Sequence, residues 1–488
     1  MTKNARIFKA KIKKMLYNEA DRTNIGGFFM KYTERGVEGI KIAYVGGGSR
    51  GWAWKLMSDL AVAGDISGQV DLYDIDYEAA LHNEIIGNKF ELAKGANTKW
   101  TYRARRTIGE ALTGADFVII SILPGTFDEM ESDVHTPEKY GIYQPVGDTT
   151  GPGGIIRALR TIPMMEVIAK AVEQYCPKAW IINYTNPMAL CVRALYNTFP
   201  GIKAFGCCHE VFNTQELIAK AISEATGDVI TERKTIKTNV VGVNHFTWIT
   251  DVRYRDHDAN GIYSAFVNKY YESGIEKADP TSVFESAHKV KFDLYRRYGV
   301  IAAAGDRHLA EFCEGNWYLK NPEQVESWGF ALTPVSWRKK DLGDRLNRSE
   351  RLRSGEEEVK IENTGEDGVR QIRALLGLGD YTTNVNIPNR GQIPNLPLGV
   401  IVETNAVFRD DRVDPVFAGP VPEGVWQLVS RAADAQTMVA RAGQQRDREL
   451  AFKAFANDPL VNLDLPAARK LFDEMVENTK EYLTDYFE

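Results

Sequence analysis

Ile40-Lys-Ile-Ala-Tyr-Val-Gly-Gly-Gly-Ser-Arg-Gly51 is the stretch on which the reading of the fold turns. Its first half is β-rich and ends in glycine; its second half contains Gly46, Gly48 and Gly51 in the spacing G-x-G-x-x-G and opens a helical pattern that runs from Trp52 to about Ala63. A glycine turn between a strand and a helix lets a backbone close tightly and lets a pyrophosphate approach the helix N-terminus, where free N–H groups favour an anion. Gly46, Gly48, Ser49, Arg50 and Gly51 are therefore the candidate cofactor contacts. The bland alternative is a turn that only packs a strand on a helix.

Outward from this turn the pattern repeats. Gln69-Val-Asp-Leu-Tyr-Asp-Ile-Asp76 reads as a second strand ending in acids, and Asp74 lies 23 residues after Gly51, where a carboxylate can bind a ribose 2′-hydroxyl and favour NAD over NADP. Asp76 is the alternative. Helices are expected over 78–94, 107–113 and 160–175, with strands at 99–103, at Asp116-Phe-Val-Ile-Ile-Ser-Ile122 and at Ala179-Trp-Ile-Ile-Asn-Tyr184. Strands alternating with helices predict an α/β fold with a doubly wound, mostly parallel Rossmann-like sheet. After about residue 205 the pattern changes. Strands are expected at 237–243 and 246–254, and helices at 212–225, 281–298, 321–327, 425–442 and 467–485. The charged stretch 336–366 reads as an exposed connection or solvated helical excursion. The organisation implied is an extension over 1–39, an NAD-binding domain over 40–205, and an interlocked α+β domain over 206–488 that carries substrate and metal.

Composition narrows the function. The chain has 488 residues, 44% hydrophobic and 26% charged, with a net charge of −6, which gives no electrostatic footprint for nucleic acid. No apolar run reaches membrane-spanning length. The basic start (Lys3, Arg6, Lys9, Lys11, Lys13, Lys14) lacks the apolar core of a secretory signal. Five cysteines, an odd number in a large chain, suit a reducing cytoplasm.

Five further stretches carry chemistry. Gly206-Cys-Cys-His-Glu-Val211 puts Cys208 at the expected start of a helix, where a thiol is a competent metal ligand, although a lone cysteine is more often a buried thiol. Gly242-Val-Asn-His-Phe-Thr-Trp248 offers His245. One Cys and one His are too few for a structural zinc site but fit an open catalytic site that the substrate completes. Asn183-Tyr-Thr-Asn-Pro-Met188 follows a strand, so Asn186 is placed to reach substrate hydroxyls or is simply a turn residue. Asp148-Thr-Thr-Gly-Pro-Gly-Gly154 reads as a flexible loop, and Gly305-Asp-Arg-His-Leu309 packs a carboxylate, a guanidinium and an imidazole together.

Taken with Ile42–Arg50, Arg157-Ala-Leu-Arg160 and the order of these motifs over residues 40–410, the chain resembles the NAD-dependent glycosidases of glycoside hydrolase family 4. The extension before residue 40 lies outside the resemblance. It implies a redox–elimination reaction: NAD⁺ takes a hydride from C3 of the sugar, the ketone acidifies the C2 proton, and a divalent metal, usually Mn²⁺, binds the C2 and C3 oxygens. The C1 leaving group is then eliminated, water adds and the hydride returns. By position, Cys208 and His245 resemble the metal ligands and Asn186 a ligand of the substrate hydroxyls. The residue after the metal cysteine is aspartate in the phosphoglucosidase branch; here it is His209, which leaves the acid as His209 or unassigned. The base is aspartate or tyrosine among members, so Asp306, 61 residues after His245, and Tyr298 are the candidates. Cys208-His-Glu-Val211 is similar to the α-galacturonidase and α-glucuronidase branch, galacturonide being preferred. Arg307, His308 and Arg50 are the cations offered to a uronate carboxylate. The family commonly forms homo-oligomers. Two rivals remain: a lactate/malate-type NAD-dependent dehydrogenase, which would accumulate NADH and leave the Cys208–His245 pair unexplained, and a non-catalytic NAD-binding sensor, which needs no metal.

Overall fold

The computed structural model describes residues 30–362 and 364–487; the basic N-terminal stretch and most of the expected extension lie outside them. The strands are β1 (Lys31–Thr33), β2 (Gly36–Val45), β3 (Ile66–Tyr73), β4 (Trp100–Arg105), β5 (Phe117–Ile120), β6 (Trp180–Asn183), β7 (Lys203–Gly206), β8 (Lys237–Val243), β9 (Phe246–Arg253), β10 (Ile301–Ala302), β11 (Tyr381–Pro388), β12 (Ile401–Arg409) and β13 (Arg412–Pro415).

The main sheet has the order β13-β12-β11-β7-β6-β5-β2-β3-β4, with β1 paired off this path to β2. Pairings β2–β3, β3–β4, β2–β5, β5–β6 and β6–β7 are all parallel. The stretch β4-β3-β2-β5-β6-β7 is the Rossmann order, and its topological switch lies between β2 and β5. Parallel strands covered by helices on both faces are buried throughout, as the wholly buried Phe117-Val-Ile-Ile120 illustrates. The glycine turn leaves β2 at that switch and enters the helix Trp52–Val62.

The division at residue 205 does not divide the sheet. β11 pairs antiparallel with β7 through Asn386 and Gly206, and β12 and β13 follow antiparallel, so the second half of the chain builds one edge of the first half's sheet. The expected extension is likewise shorter than 1–39: Lys31–Thr33 folds back on Gly36–Glu38 as an antiparallel hairpin, and β2 begins at Gly36. A smaller antiparallel sheet, β10-β9-β8, carries a two-residue turn, Asn244-His245, between β8 and β9.

Two local expectations differ from the structure, and one of two alternatives is decided by it. The second half of the loop expected over Asp148–Gly154 is the start of the helix Gly151–Tyr175, because Thr150 is extended and Pro152 sits in the first turn, where its missing N–H costs nothing. The helix expected over 281–298 forms only from Lys289 to Tyr298. The charged excursion is a 20-residue helix, Val335–Ser354, with Val335, Ser349 and Leu352 buried. Among the described residues no helix is long and apolar enough to cross a membrane.

Candidate active site

The dinucleotide turn is built from backbone. Gly46 has φ of +93°, and a Cβ there would lie 2.0 Å from the Ser121 carbonyl oxygen. A Cβ on Gly48 would meet Ala79 Cβ at 2.5 Å and the Asp74 carboxylate at 2.9 Å. Asp74 follows β3 directly and accepts from the Gly48 N–H (2.9 Å) and the Asp76 N–H (2.9 Å), which aims it at the turn. Asp76 caps the helix Tyr77–Gly87 by accepting from Ala79 N, so of the two acids Asp74 is the one at the cofactor turn. Asn83, which sequence reasoning did not single out, pins the turn: its Nδ2 donates to the carbonyls of Gly47 (2.7 Å) and Ser49 (2.9 Å), and its Oδ1 accepts from Trp54 Nε1. The Gly51 end of the helix Trp52–Val62 has no side-chain cap and no acid in its first turn, and the Arg345 guanidinium stands beside it. Arg50 lies at this turn near Asp74, with its Nε buried and unpaired among the described residues.

The second part of the site is built from side chains. His245 has φ of +62°, a left-handed conformation that costs a non-glycine residue energy and that the two-residue turn imposes. It brings the imidazole against His308, with ring centroids 3.8 Å apart. Asp148, His245 and His308 present ligand atoms within 4.8 Å of one another. Thr149 Oγ1 donates to Asp148 Oδ1 (2.6 Å) and contacts His245 Nδ1 at 2.8 Å. The hydroxyl has one proton and gives it to the carboxylate, so His245 Nδ1–H is the donor to Thr149 and Nε2 keeps its lone pair. Asn186 Nδ2 donates to Asp148 Oδ2 (3.1 Å), while Asn186 Oδ1 is buried without a partner among the described residues. The Asn186–Pro187 peptide bond is cis.

Glu210, the first residue of the helix Glu210–Thr226, accepts from Gly305 N (2.7 Å) and lies 3.7 Å from His308 Nε2. Burial raises its pKa but the imidazoles of His308, His245 and His209 outweigh it, bringing it down to about 2. Asp148 is held below the usual carboxylate range by His245, His308 and Arg157 against its burial. His245 itself is pushed down to about 3, chiefly by burial and then by His308. At neutral pH the cluster is thus two carboxylates facing neutral imidazoles, a set of donors that wants a cation. Cys208 sits beside it. Its thiol is pushed well up by burial and by Glu403 and Glu210. Asn244 and Asn384 both donate to Glu403, at 3.2 and 2.6 Å.

The structure thus brings together Asn186, Cys208, His245 and His308, and adds Asp148, Glu210 and Glu403. His209 stands half-exposed at the rim, 3.8 Å from Glu366 and with its ring centroid 6.0 Å from that of Trp52. Asp306 and Tyr298 are not among the residues brought together there. Asp306 is wholly buried and accepts from Val290 N (3.2 Å) and Lys291 N (3.1 Å), capping the helix Lys289–Tyr298. Tyr298, at the far end of that helix, packs against Trp248. Arg307 is also committed: its Nη2 donates to Pro145 O and Thr333 Oγ1. The signal for Asp148 was present in the sequence, as the residue before the Thr-Thr-Gly-Pro-Gly-Gly run; Glu403 had none beyond a carboxylate in a strand.

Comparison with known proteins places this geometry. Residues 41–224 match the model of a family 4 glycosyl hydrolase, and residues 240–461 match that of a family 4 glycosyl hydrolase C-terminal domain. The chain is 61% identical to an alpha-galacturonidase of Thermoanaerobacterium saccharolyticum over 93% of this chain and 98% of that one. A Bacillus subtilis crystal structure described as a glucosidase superposes with a TM-score of 0.86 at 53% identity, covering 90% of this chain and 100% of the other. The 6-phospho-beta glucosidase of Thermotoga maritima, solved with manganese, NAD+ and glucose-6-phosphate, shares the fold at 22% identity, with a TM-score of 0.72 over 91% of this chain and 99% of that one.

Proposed function

The chain belongs to family 4 of the glycosyl hydrolases, and from that premise we propose that it is an NAD- and divalent-metal-dependent α-galacturonidase. The observation that carries the reading is the Asp148–His245–His308 cluster, with Cys208 beside it, next to the strand ends that lead from a dinucleotide turn. The relative at 61% identity, itself an alpha-galacturonidase, supports galacturonide over glucuronide.

The residues fit both groups. The turn around Gly48 has no room for a side chain, and the uncapped Gly51 helix end with Arg345 beside it suits a pyrophosphate. His245 Nε2, His308 and Asp148 suit a divalent ion, and Cys208 would join as thiolate once a cation offsets Glu210 and Glu403. When bound, NAD would accept and return the hydride at C3 while the metal polarised the C2 and C3 oxygens. This chain's own residues do the rest. Asn186 Oδ1, buried and unpaired, would accept from a sugar hydroxyl. Glu210, ionised and outside the metal-binding set, is the carboxylate at the cluster available to the C2 proton. His209, half-exposed beside it, is the group open to the leaving oxygen. Free thiols and an NAD requirement suit a reducing, cytoplasmic setting.

The test is release of galacturonic acid from an aryl α-galacturonide, and of glucuronic acid from the glucuronide, with Mn²⁺, NAD⁺ and reductant, each omitted in turn. The reading expects galacturonate to be released faster, only with both cofactors and with no net NADH. NADH accumulating from a free hydroxy acid, with neither uronide cleaved, would overturn it.

A further inference from the structure

Asp148 reaches the cluster at the end of a buried stretch of backbone. Pro145, Val146 and Gly147 are all buried, and none of them lies in a helix or strand. Their polar main-chain groups must therefore find partners outside the regular ladders. Those partners come from one place. Glu311 Oε1 accepts from Val146 N at 2.7 Å and from Gly147 N at 2.9 Å. Arg307 Nη2 donates to Pro145 O at 2.6 Å and also to Thr333 Oγ1. Two side chains hold the main chain of all the residues that lead directly into Asp148.

Both side chains belong to the helix Asp306–Glu311, one turn apart on the same face, and His308 lies between them in the chain. One short helix supplies an imidazole to the cluster and also grips the loop that supplies the carboxylate. The grip is close: Gly147 has φ of +65°, and a Cβ there would lie 2.9 Å from Val134 Cγ2. Gln144 shows what local satisfaction looks like. It accepts from Gly153 N and donates to Thr150 O, nine and six residues away, whereas Glu311 reaches Gly147 across 164 residues. Glu311 is wholly buried, its Oε2 has no partner among the described residues, and burial pushes its carboxyl up to about 8. It keeps a proton at neutral pH and works through one accepting oxygen, as an amide would.

Resting on the reading of Asp148, His245 and His308 as a metal site, we propose that Glu311 and Arg307 are positioning residues for that site. They clamp residues 145–147 onto the helix of His308, which fixes Asp148 against the imidazoles before an ion arrives. Asp148 and His308 are 160 residues apart in the chain, and without the clamp part of the ion's binding energy would go into ordering the loop. The same geometry takes Arg307 away from the substrate. A guanidinium committed to Pro145 and Thr333 acts through the loop, not on a uronate carboxylate.

The test is Mn²⁺ binding to the whole protein without any sugar, followed by electron paramagnetic resonance of the free ion. The unfolding midpoint of the metal-free protein is measured beside it. Glu311→Met removes the acceptor at nearly the same volume and should weaken Mn²⁺ binding by about 10–100-fold. Glu311→Gln keeps one accepting oxygen and should stay within about threefold of the wild type. Arg307→Met should weaken Mn²⁺ as Glu311→Met does, although no uronate is present, and it carries the test should Glu311→Met not fold. Glu311→Met or Arg307→Met with a lowered midpoint but unchanged Mn²⁺ affinity would overturn the clamp, since the bonds would then serve only the loop. So would a Glu311→Gln protein that binds Mn²⁺ as weakly as Glu311→Met. A wild type that binds no Mn²⁺ would instead sink the metal reading itself, and the clamp with it.

Discussion

The dinucleotide turn and the Asp148–His245–His308 cluster are made in opposite ways. The turn is made by what is missing: Gly46 and Gly48 leave space that any side chain would fill, and the Gly48 N–H holds the Asp74 carboxylate at the turn. The cluster is made by what is present: a carboxylate from one segment and imidazoles from two others. A site of the first kind is damaged by adding atoms, one of the second by removing them. The first is built from one strand–turn–helix and the neighbouring strand and helix that hold it; the second needs the whole fold.

The largest effect is expected where a converging side chain is removed. His245→Ala should lower kcat/KM on an aryl galacturonide by roughly a thousand-fold or more, with loss of bound manganese measured by atomic emission. Metal retained at full stoichiometry would break the side-chain account of the cluster. Next comes an addition. Gly48→Ala places a methyl 2.5 Å from Ala79 Cβ, and calorimetry should show NAD⁺ binding weakened by about 100-fold while bound metal is unchanged. Metal lost together with NAD⁺ would mean that the two parts are one unit.

A smaller effect sharpens the contrast by deleting a side chain that serves the backbone site. Asn83→Ala removes two hydrogen bonds to the turn carbonyls of Gly47 and Ser49, and should cost about 1–3 kcal/mol in denaturant unfolding together with weaker NAD⁺ binding. An unchanged midpoint would show that the glycines hold the turn unaided. The smallest change is expected from Tyr298→Phe, which keeps the packing on Trp248 and should leave kcat/KM within about twofold. A large loss there would return Tyr298 to the reacting centre.

The legibility of the two regions follows from their construction. The strand–turn–helix from Ile40 to Val62 was readable because glycine spacing and strand-to-helix periodicity are local, and the Rossmann order of β4-β3-β2-β5-β6-β7 follows from the alternation of strands and helices. Asn186, Cys208 and His245 were readable as motif residues; Asn186 and His245 meet at Asp148, and Cys208 faces Glu210 and Glu403. Asp306 was drawn toward the site by its distance from His245 along the chain and by Arg307 beside it, but a buried carboxylate is taken wherever backbone N–H groups lack partners, and the free end of the helix Lys289–Tyr298 claimed it. Asp148 was seen only as part of a loop, since nothing local says that Thr149 will hand its proton to that carboxylate and receive one from His245.

The sequence by itself determined the dinucleotide turn, the alternation that makes the sheet parallel and the family to which the chain belongs. Those properties depend on sterics and periodicity within a few turns of chain. Only the tertiary structure decided which carboxylates face the imidazoles, that β11, β12 and β13 close the sheet begun by β2, and that a charged helix far along the chain lies against the glycine turn. Those choices depend on desolvation and on unpaired polar groups finding partners, and both exist only after distant segments have packed.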